Sequence, residues 1–390
     1  MKNILIIMPG IRPGGGPSGY TYNLMQGISQ IIERDGPVNV KFYGFRSEER
    51  VLSVQGRGSQ LRDKMGAIIN SLDEWGVGIP RLLLDYVRAK LFLHPRTLLD
   101  AMMWAQVVIF QGYQPPRILR LAKLKDKIIV YMPHSPTIMA DEIAMNIAEN
   151  GAHISKLKYR SMLRNERYFF EYAKHIVFAT RSASEPYVKE YGDILERKEI
   201  SYILSGVDID FIGSNPASDF GNTRTYMVAF IGRYSKHKGY DLFCEAAEIV
   251  TTRRNDVDFI SAGTGPLSRT SSCVKDLGWR SDIGAVMCKA DVIVVPNRVT
   301  YFDLLPIECA ALGKPLVLTA TGGNKELAAM LPDTVTTPVA SSVAIADGIC
   351  SCLKELEQNV NYGSRNRAIY ESMFTSVAFA ERWMSFFSHL

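Results

Sequence analysis

Tyr226-Met227-Val228-Ala229-Phe230-Ile231-Gly232-Arg233-Tyr234-Ser235-Lys236-His237-Lys238-Gly239 is the stretch that decides the fold. Its first part is an unbroken apolar run closed by a glycine. Such a run predicts a strand buried on both faces, because a half-exposed strand would alternate apolar and polar residues. Arg233 and Lys238 then stand beyond the carboxyl end of that strand, ahead of a helix opening near Gly239. Open α/β sheets bind ligands at this end, and two fixed cations there suit a diphosphate. Farther on, Leu305-Pro306-Ile307-Glu308-Cys309-Ala310-Ala311-Leu312-Gly313-Lys314-Pro315 sets a carboxylate, Glu308, on a helix after the next apolar strands. A carboxylate suits the two hydroxyls of a ribose. Phosphates plus ribose indicate a nucleotide, and without a Walker lysine the reading turns to a nucleotide sugar.

The same rhythm runs along the chain. Short apolar runs at 4–8, 38–45, 107–110, 127–132 and 176–179 predict strands of a first sheet. Helical spacing lies between them, as in Tyr20, Leu24, Ile28, Ile31 and Ile32. The span 203–224 is rich in Gly, Ser, Asn, Asp and Pro and predicts a linker. Beyond it, runs at 226–231, 257–261, 291–295 and 316–319 predict a second sheet, with helices opening near Gly239, Leu304 and Lys325. This alternation makes parallel sheets covered on both faces. The expected fold class is α/β, with two doubly wound domains over 1–203 and 204–373 and a cleft between them.

A chain of 390 residues, 47% hydrophobic and 22% charged, suits two soluble domains of ordinary size. Its opening apolar run is too short for a signal peptide and no small-residue cleavage site follows. No run approaches the roughly 18 apolar residues of a spanning helix, so the expected location is the cytoplasm. Charge is uneven: residues 1–200 carry 28 Lys and Arg against 20 Asp and Glu, and residues 201–390 carry 17 against 20. The basic first half suits anionic lipid headgroups or a pyrophosphate-bearing acceptor, and a peripheral place at the inner face of the membrane. Cys244, Cys273, Cys288, Cys309, Cys350 and Cys352 form neither Cys-x-x-Cys nor a zinc-type cluster, and are expected to be reduced, buried small hydrophobes.

An ordered set of blocks resembles the retaining glycosyltransferases of family 4, which have the GT-B fold. The blocks are Gly14-Gly15-Gly16, His134, Ser205-Gly206-Val207-Asp208, Gly232-Arg233 with Lys238-Gly239, Gly263-Thr264-Gly265-Pro266-Leu267, Ala290-Asp291-Val292 with Val295-Pro296, Glu308 to Pro315, and Thr321-Gly322-Gly323. The resemblance implies two Rossmann-like domains facing a central cleft, the first on the acceptor side and the second on the donor side. It also implies that the last helix, over 374–390, crosses back onto the first domain. The implied activity is transfer of a sugar from a nucleoside-diphosphate sugar, a UDP-sugar in the simplest reading, to an acceptor hydroxyl with retention of configuration. The sugar nucleotide is a substrate, so no cofactor is expected. Catalysis is expected to be metal-independent.

The resemblance assigns roles residue by residue. Arg233 and Lys238 would neutralise the leaving diphosphate, and Glu308 would hold the ribose. Gly15 and Gly16 would bring a helix N-terminus to a phosphate or sugar oxygen. The turn at Gly263 and Gly265 would let the nucleotide approach the backbone, and Gly322 would line the phosphate pocket. His134 would sit beside the donor sugar. The family has a second glutamate, separated by seven residues from the ribose-binding one that follows it, where this chain has Thr300. Its usual Phe-Gly is Phe302-Asp303 here. Three explanations stand open: an unusual donor sugar, a carboxylate relocated to Asp303, or weakened catalysis. Backbone N–H groups from Asp303 through Leu304 to Leu305 would still hold sugar or phosphate. Trp279 is read either as a stacking partner for the base or as core. His237 and Lys236 are read as solvent-facing, and Glu326 as a charge complementing a helix dipole.

Other patterns carry less. Gly14, Gly16 and Gly19 satisfy Gly-x-Gly-x-x-Gly, but Pro17 interrupts the turn and the acid expected about 20 residues on is missing, so a nicotinamide-binding oxidoreductase is disfavoured. Asp208-Ile209-Asp210 imitates a metal-binding pair yet lies in the linker, and is read as a turn or cap. Basic residues cluster in the first half, among them Arg81, Arg88 and Lys90 with Leu84, Val87 and Leu91 at helical spacing. They fit a surface helix or a membrane-facing one. Nucleic acid is not expected, because aromatics do not interleave with the basic residues. A saccharide on a lipid carrier is the acceptor this charge suggests.

Overall fold

The computed structural model describes residues 2–8, 10–11, 16–44, 96–149, 151–209, 226–267, 271–359 and 361–390. Gly14, Gly15, Asp210 and the stretch with Arg81, Arg88 and Lys90 lie outside the described residues.

Two parallel six-stranded sheets organise the chain. The first contains β1 Ile4–Met8, β2 Val40–Gly44, β3 Val107–Gln111, β4 Ile128–Met132, β5 His175–Phe178 and β6 Glu199–Tyr202, in the order β2-β1-β3-β4-β5-β6. The second contains β7 Tyr226–Ile231, β8 Val257–Ala262, β9 Val274–Asp276, β10 Val292–Val295, β11 Leu316–Thr319 and β12 Thr334–Thr337, in the order β12-β11-β10-β7-β8-β9. Counted from the β9 edge, the second sheet runs third, second, first, fourth, fifth, sixth, the order of nucleotide-binding doubly wound sheets. Its order reverses between β7 and β10, where the fold places a ligand crevice.

The apolar runs become the inner strands, and every residue of β1, β3 and β10 is buried. Helices cover both faces. In the second half, one cluster packs Met227, Ala229 and Ile293 against Ile307 and Leu327, while another packs Val228, Phe230 and Val294 against Phe243 and Ile349. The alternation within β7 thus feeds two cores at once.

β6, β9 and β12 have no counterpart among the apolar runs. Each is a sheet edge, with the burial of its residues broken by exposed or half-buried positions. An edge strand is only partly covered, so it does not need an unbroken apolar run.

Helix Ser376–Ser388 lies against the first helix, Gly16–Asp35, and buries Phe379, Trp383 and Phe387 with Leu24 and Ile28. Close backbone approach fixes the crossing: a Cβ on Gly27 would stand 1.9 Å from the Ser376 carbonyl oxygen. The linker joins this seam. Asp208 accepts from Gln30 Nε2 at 3.0 Å and from Ser376 Oγ at 3.3 Å, and its N–H donates to Asn23 Oδ1 at 2.8 Å. Asp208 is therefore a structural tie. The cysteines are free, but not uniformly buried: Cys288 is exposed and Cys273 and Cys350 are half-buried, because the outward faces of their segments carry them.

Candidate active site

The loops beyond the carboxyl ends of the two sheets enclose a cavity of about 160 Å³. Six of the sequence-predicted residues meet on its wall: Gly16, His134, Lys238, Thr300, Asp303 and Leu304. Gly16 opens the first helix, His134 follows β4, Lys238 follows β7, and Thr300 to Leu304 follow β10. The wall is therefore assembled across both halves, at the position that doubly wound sheets reserve for ligands.

Lys238 and Asp303 form its charged centre. Lys238 Nζ lies 2.7 Å from Asp303 Oδ1. Asp303 Oδ2 accepts from Asn324 Nδ2 at 2.9 Å and also from Asn297 Nδ2. Burial opposes the Asp303 charge. The Lys238 ammonium and hydrogen bonds from Lys238, Asn324 and Thr300 outweigh it and hold the carboxyl below its ordinary range. Asp303 is thus a compensated anion, not the bare negative charge that its sequence position suggests. The segment is pressed into place by Gly322, whose Cβ, if present, would stand 1.8 Å from the Thr300 carbonyl oxygen.

His134 sits in an aromatic cage. Its ring meets Tyr20 edge-on at 4.6 Å and Tyr301 at 5.8 Å. Tyr20 in turn accepts from Trp383 Nε1 at 2.9 Å, and Tyr301 accepts from the Ala179 N–H at 3.0 Å. His134 Nε2 is enclosed and makes no hydrogen bond among the described residues. Burial drives the imidazole pKa down to about 3, so the ring is neutral at physiological pH. It can orient a sugar by hydrogen bonding but is a poor acid.

The other predicted residues, among those described, do not line the cavity. Glu308 is buried in the first turn of helix Leu305–Ala311, and burial, followed by the charge of Asp303, pushes its carboxyl up to about 7. Leu305 opens the same helix. Arg233 is exposed and donates from Nη1 to Asn146 Oδ1 at 3.2 Å, across to the first half. Gly263 and Gly265 are required by the chain itself. Their Cβ atoms would lie 1.8 Å from the Gly232 carbonyl oxygen and 2.1 Å from that of Tyr234, so this turn buttresses the loop that carries Arg233 and Lys238.

Several side chains depart from the sequence reading. His237 is half-buried on the cavity wall, with Nδ1 3.1 Å from Glu149 Oε1, and is not a solvent-facing neighbour. Glu326 stands in the first turn of helix Asn324–Met330, as the sequence reading has it, and in addition accepts from the Ser182 N–H at 2.8 Å, so it also caps a helix of the opposite half. Trp279 is 73% exposed, which removes the core-packing alternative. Glu142, Asn146, Glu149, Asn297, Asn324 and Tyr301 were not legible as site residues, because each acquires its role through a partner distant in sequence. A polar stripe at 142, 146 and 149 was the one available signal.

Residues 225–355 match the family model described as glycosyl transferases group 1. The chain carries a domain of this glycosyltransferase group. The D-inositol 3-phosphate glycosyltransferase of Paenarthrobacter aurescens is 26% identical over 172 residues, 39% of this chain and 42% of that protein. The match thus spans about two fifths of that relative's length. Over the whole chain the fold is GT-B. The crystal structure of HepE from Anabaena in complex with UDP and glucose superposes with a TM-score of 0.67 at 16% identity, covering 100% of both chains. WaaG, a glycosyltransferase involved in lipopolysaccharide biosynthesis, gives 0.61 at 14% identity over 98% of this chain and 99% of its own. Among the described residues no helix is long and apolar enough to cross a membrane, and no group of His, Cys, Asp and Glu is placed to hold a metal ion.

Proposed function

We propose that this protein is a retaining, family 4 glycosyltransferase that moves a sugar from a UDP-sugar to an acceptor hydroxyl. The observation that carries the reading is the meeting of Lys238 and a neutral His134 on one cavity wall, at the carboxyl ends of both sheets. In this reading Arg233 and Lys238 hold the diphosphate, Glu308 takes the ribose hydroxyls, and Gly322 keeps the Thr300 to Leu304 segment under the sugar. As the bond from the anomeric carbon to the phosphate oxygen breaks, charge grows on the diphosphate. Lys238 then shifts its hydrogen bond from Asp303 to that oxygen, where fixed cations are most effective.

Asp303 is the relocated carboxylate that faces the positive anomeric carbon, while Asn297 and Asn324 keep it in place. The acceptor hydroxyl attacks from the face the leaving group vacates, so configuration is retained. Its proton passes to the leaving phosphate. Arg233 and Lys238 carry the positive charge that a metal would otherwise supply to the diphosphate. Closure of the halves keeps water from the reacting carbon. The basic first half supports an acceptor on a lipid-linked oligosaccharide, with the enzyme peripheral at the inner face of the membrane. Flotation with anionic vesicles at low salt tests that part, and equal recovery with neutral vesicles counts against it.

A second reading is favoured by Thr300, which cannot stabilise a cationic anomeric carbon: a nucleotide-sugar-binding protein with weakened catalysis. Calorimetry with UDP, GDP and ADP, paired with product analysis on UDP-sugars, separates the two. UDP binding that is lost in Lys238→Ala, with sugar transferred, supports the transferase. UDP binding without turnover supports the second reading, and no nucleotide binding removes both.

A further inference from the structure

Helix Met139–Ala148 of the first half lies over the loop that carries Arg233 and Lys238. Two residues of one stripe are already engaged there: Asn146 accepts from Arg233 and Glu149 holds His237. Glu142, four residues before Asn146, shares that helix face. It lines the cavity together with His134, Lys238 and Thr300. Among the described residues its carboxylate makes no hydrogen bond or ion pair, and it is the one charged side chain that the first half gives to the wall. The enclosed Nε2 of the neutral His134 on the same wall also lacks a partner among the described residues. This wall therefore offers acceptor atoms and no described cation, opposite a second half that holds Lys238.

We propose that Glu142 receives the acceptor: it accepts a hydrogen bond from a hydroxyl or ammonium of a neutral or amino sugar, and its charge turns away sugars bearing phosphate or carboxylate at that end. This rests on the transferase reading and narrows it, because the net basic charge of the first half would by itself suggest an anionic acceptor. The charge that matters is the charge on the cavity wall.

The test uses the full-length protein loaded with UDP. Wild type, Glu142→Gln and Glu142→Lys are titrated with methyl α-glucoside, glucosamine and glucose 6-phosphate by saturation-transfer NMR, and UDP affinity is measured on the same samples. Wild type is expected to bind the first two sugars and exclude the phosphate. Glu142→Gln weakens glucosamine about tenfold or more, the scale of a lost charge-assisted hydrogen bond. Glu142→Lys reverses the order and admits glucose 6-phosphate, while UDP affinity stays within about twofold. Glucose 6-phosphate binding wild type as well as glucosamine, an unchanged order in Glu142→Lys, or no sugar binding to UDP-loaded wild type overturns the proposal. Absence of UDP binding in wild type sinks the transferase reading itself, and this inference with it.

Discussion

The two halves share an architecture but hold their cavity loops differently. In the second half, glycines at the loops are wedged against carbonyl oxygens: Gly239 against Pro296, Gly263 against Gly232, and Gly322 against Thr300, each leaving under 2 Å for a Cβ. In the first half, Gly16 and Gly112 have nothing among the described residues within 4 Å of a Cβ. The tight glycine there, Gly27, and Gly206 of the linker grip the returning segment at Ser376 and Thr375. One half thus interlocks its site loops, whereas the other spends its close contacts on the seam. Under the proposed function such a difference would set a rigid phosphate-binding side against an adaptable acceptor side, since a nucleotide is a fixed shape and acceptors vary.

The sharpest way to break this comparison is a pair of alanines. Gly322→Ala places a Cβ 1.8 Å from the Thr300 oxygen at a φ of +49°, so the Thr300 to Leu304 segment has to move. The expected result is loss of UDP binding and destabilisation of about 3 kcal/mol or more. Gly16→Ala meets only its φ of +74°, and about 1 kcal/mol is expected. Chemical denaturation and UDP calorimetry on both variants check this. Equal effects would mean that the glycine asymmetry has no functional weight.

A second contrast lies in two enclosed carboxyl groups. Asp303 in the second half has Lys238. Glu166 in the first half accepts from the Met139 N–H and Tyr191 hydroxyl, both at 3.0 Å, and burial pushes it up to about 7. The signs are opposite. The native state binds a proton at Glu166 more tightly than the unfolded chain does, so stability falls as pH rises from the ordinary carboxyl range to about 7. Asp303 has a lowered pKa, so its contribution is present above the unfolded value and is lost as pH falls through the folded one. Glu166→Gln should remove the first slope and stabilise the protein at pH 8 by at most about 3 kcal/mol. Denaturation midpoints from pH 4.5 to 8 read it. A slope unchanged in Glu166→Gln would mean that another group, such as Glu308, carries it.

The same asymmetry governed what the chain disclosed before folding. Inner strands such as β7 and β11 were legible to the residue, because burial on both faces demands an unbroken apolar run. β6, β9 and β12 were not, because an edge asks less of its side chains. Lys238 and Asp303 could be named from the residues around them, yet their mutual pairing could not, since it depends on how two loops meet beyond β7 and β10. Tyr301 was hidden for a further reason. It stands in the second half but packs in the core of the first, beside Phe178 and Ala179, and no local pattern announces a side chain that serves a neighbouring core.

Contacts between the halves give the finest test, because they come in two kinds. Tyr301 is a buried peg whose hydroxyl satisfies the Ala179 N–H. Lys325 and Glu185 form a surface pair at 2.8 Å, with side chains 44% and 59% exposed. Tyr301→Phe leaves a buried donor without its acceptor, so about 1–2 kcal/mol is expected, with little dependence on salt. It should also loosen the cage around His134 and raise the KM for donor more than it lowers stability. Lys325→Met removes a solvated, screened interaction, and no more than about 0.5 kcal/mol is expected, fading as ionic strength rises. If the surface pair proved the stronger of the two, the halves would be held by charge at their rim, and salt alone would set how far the cavity opens. If the peg is stronger, opening requires pulling an aromatic ring from the opposite core, and the closed cavity is the resting arrangement.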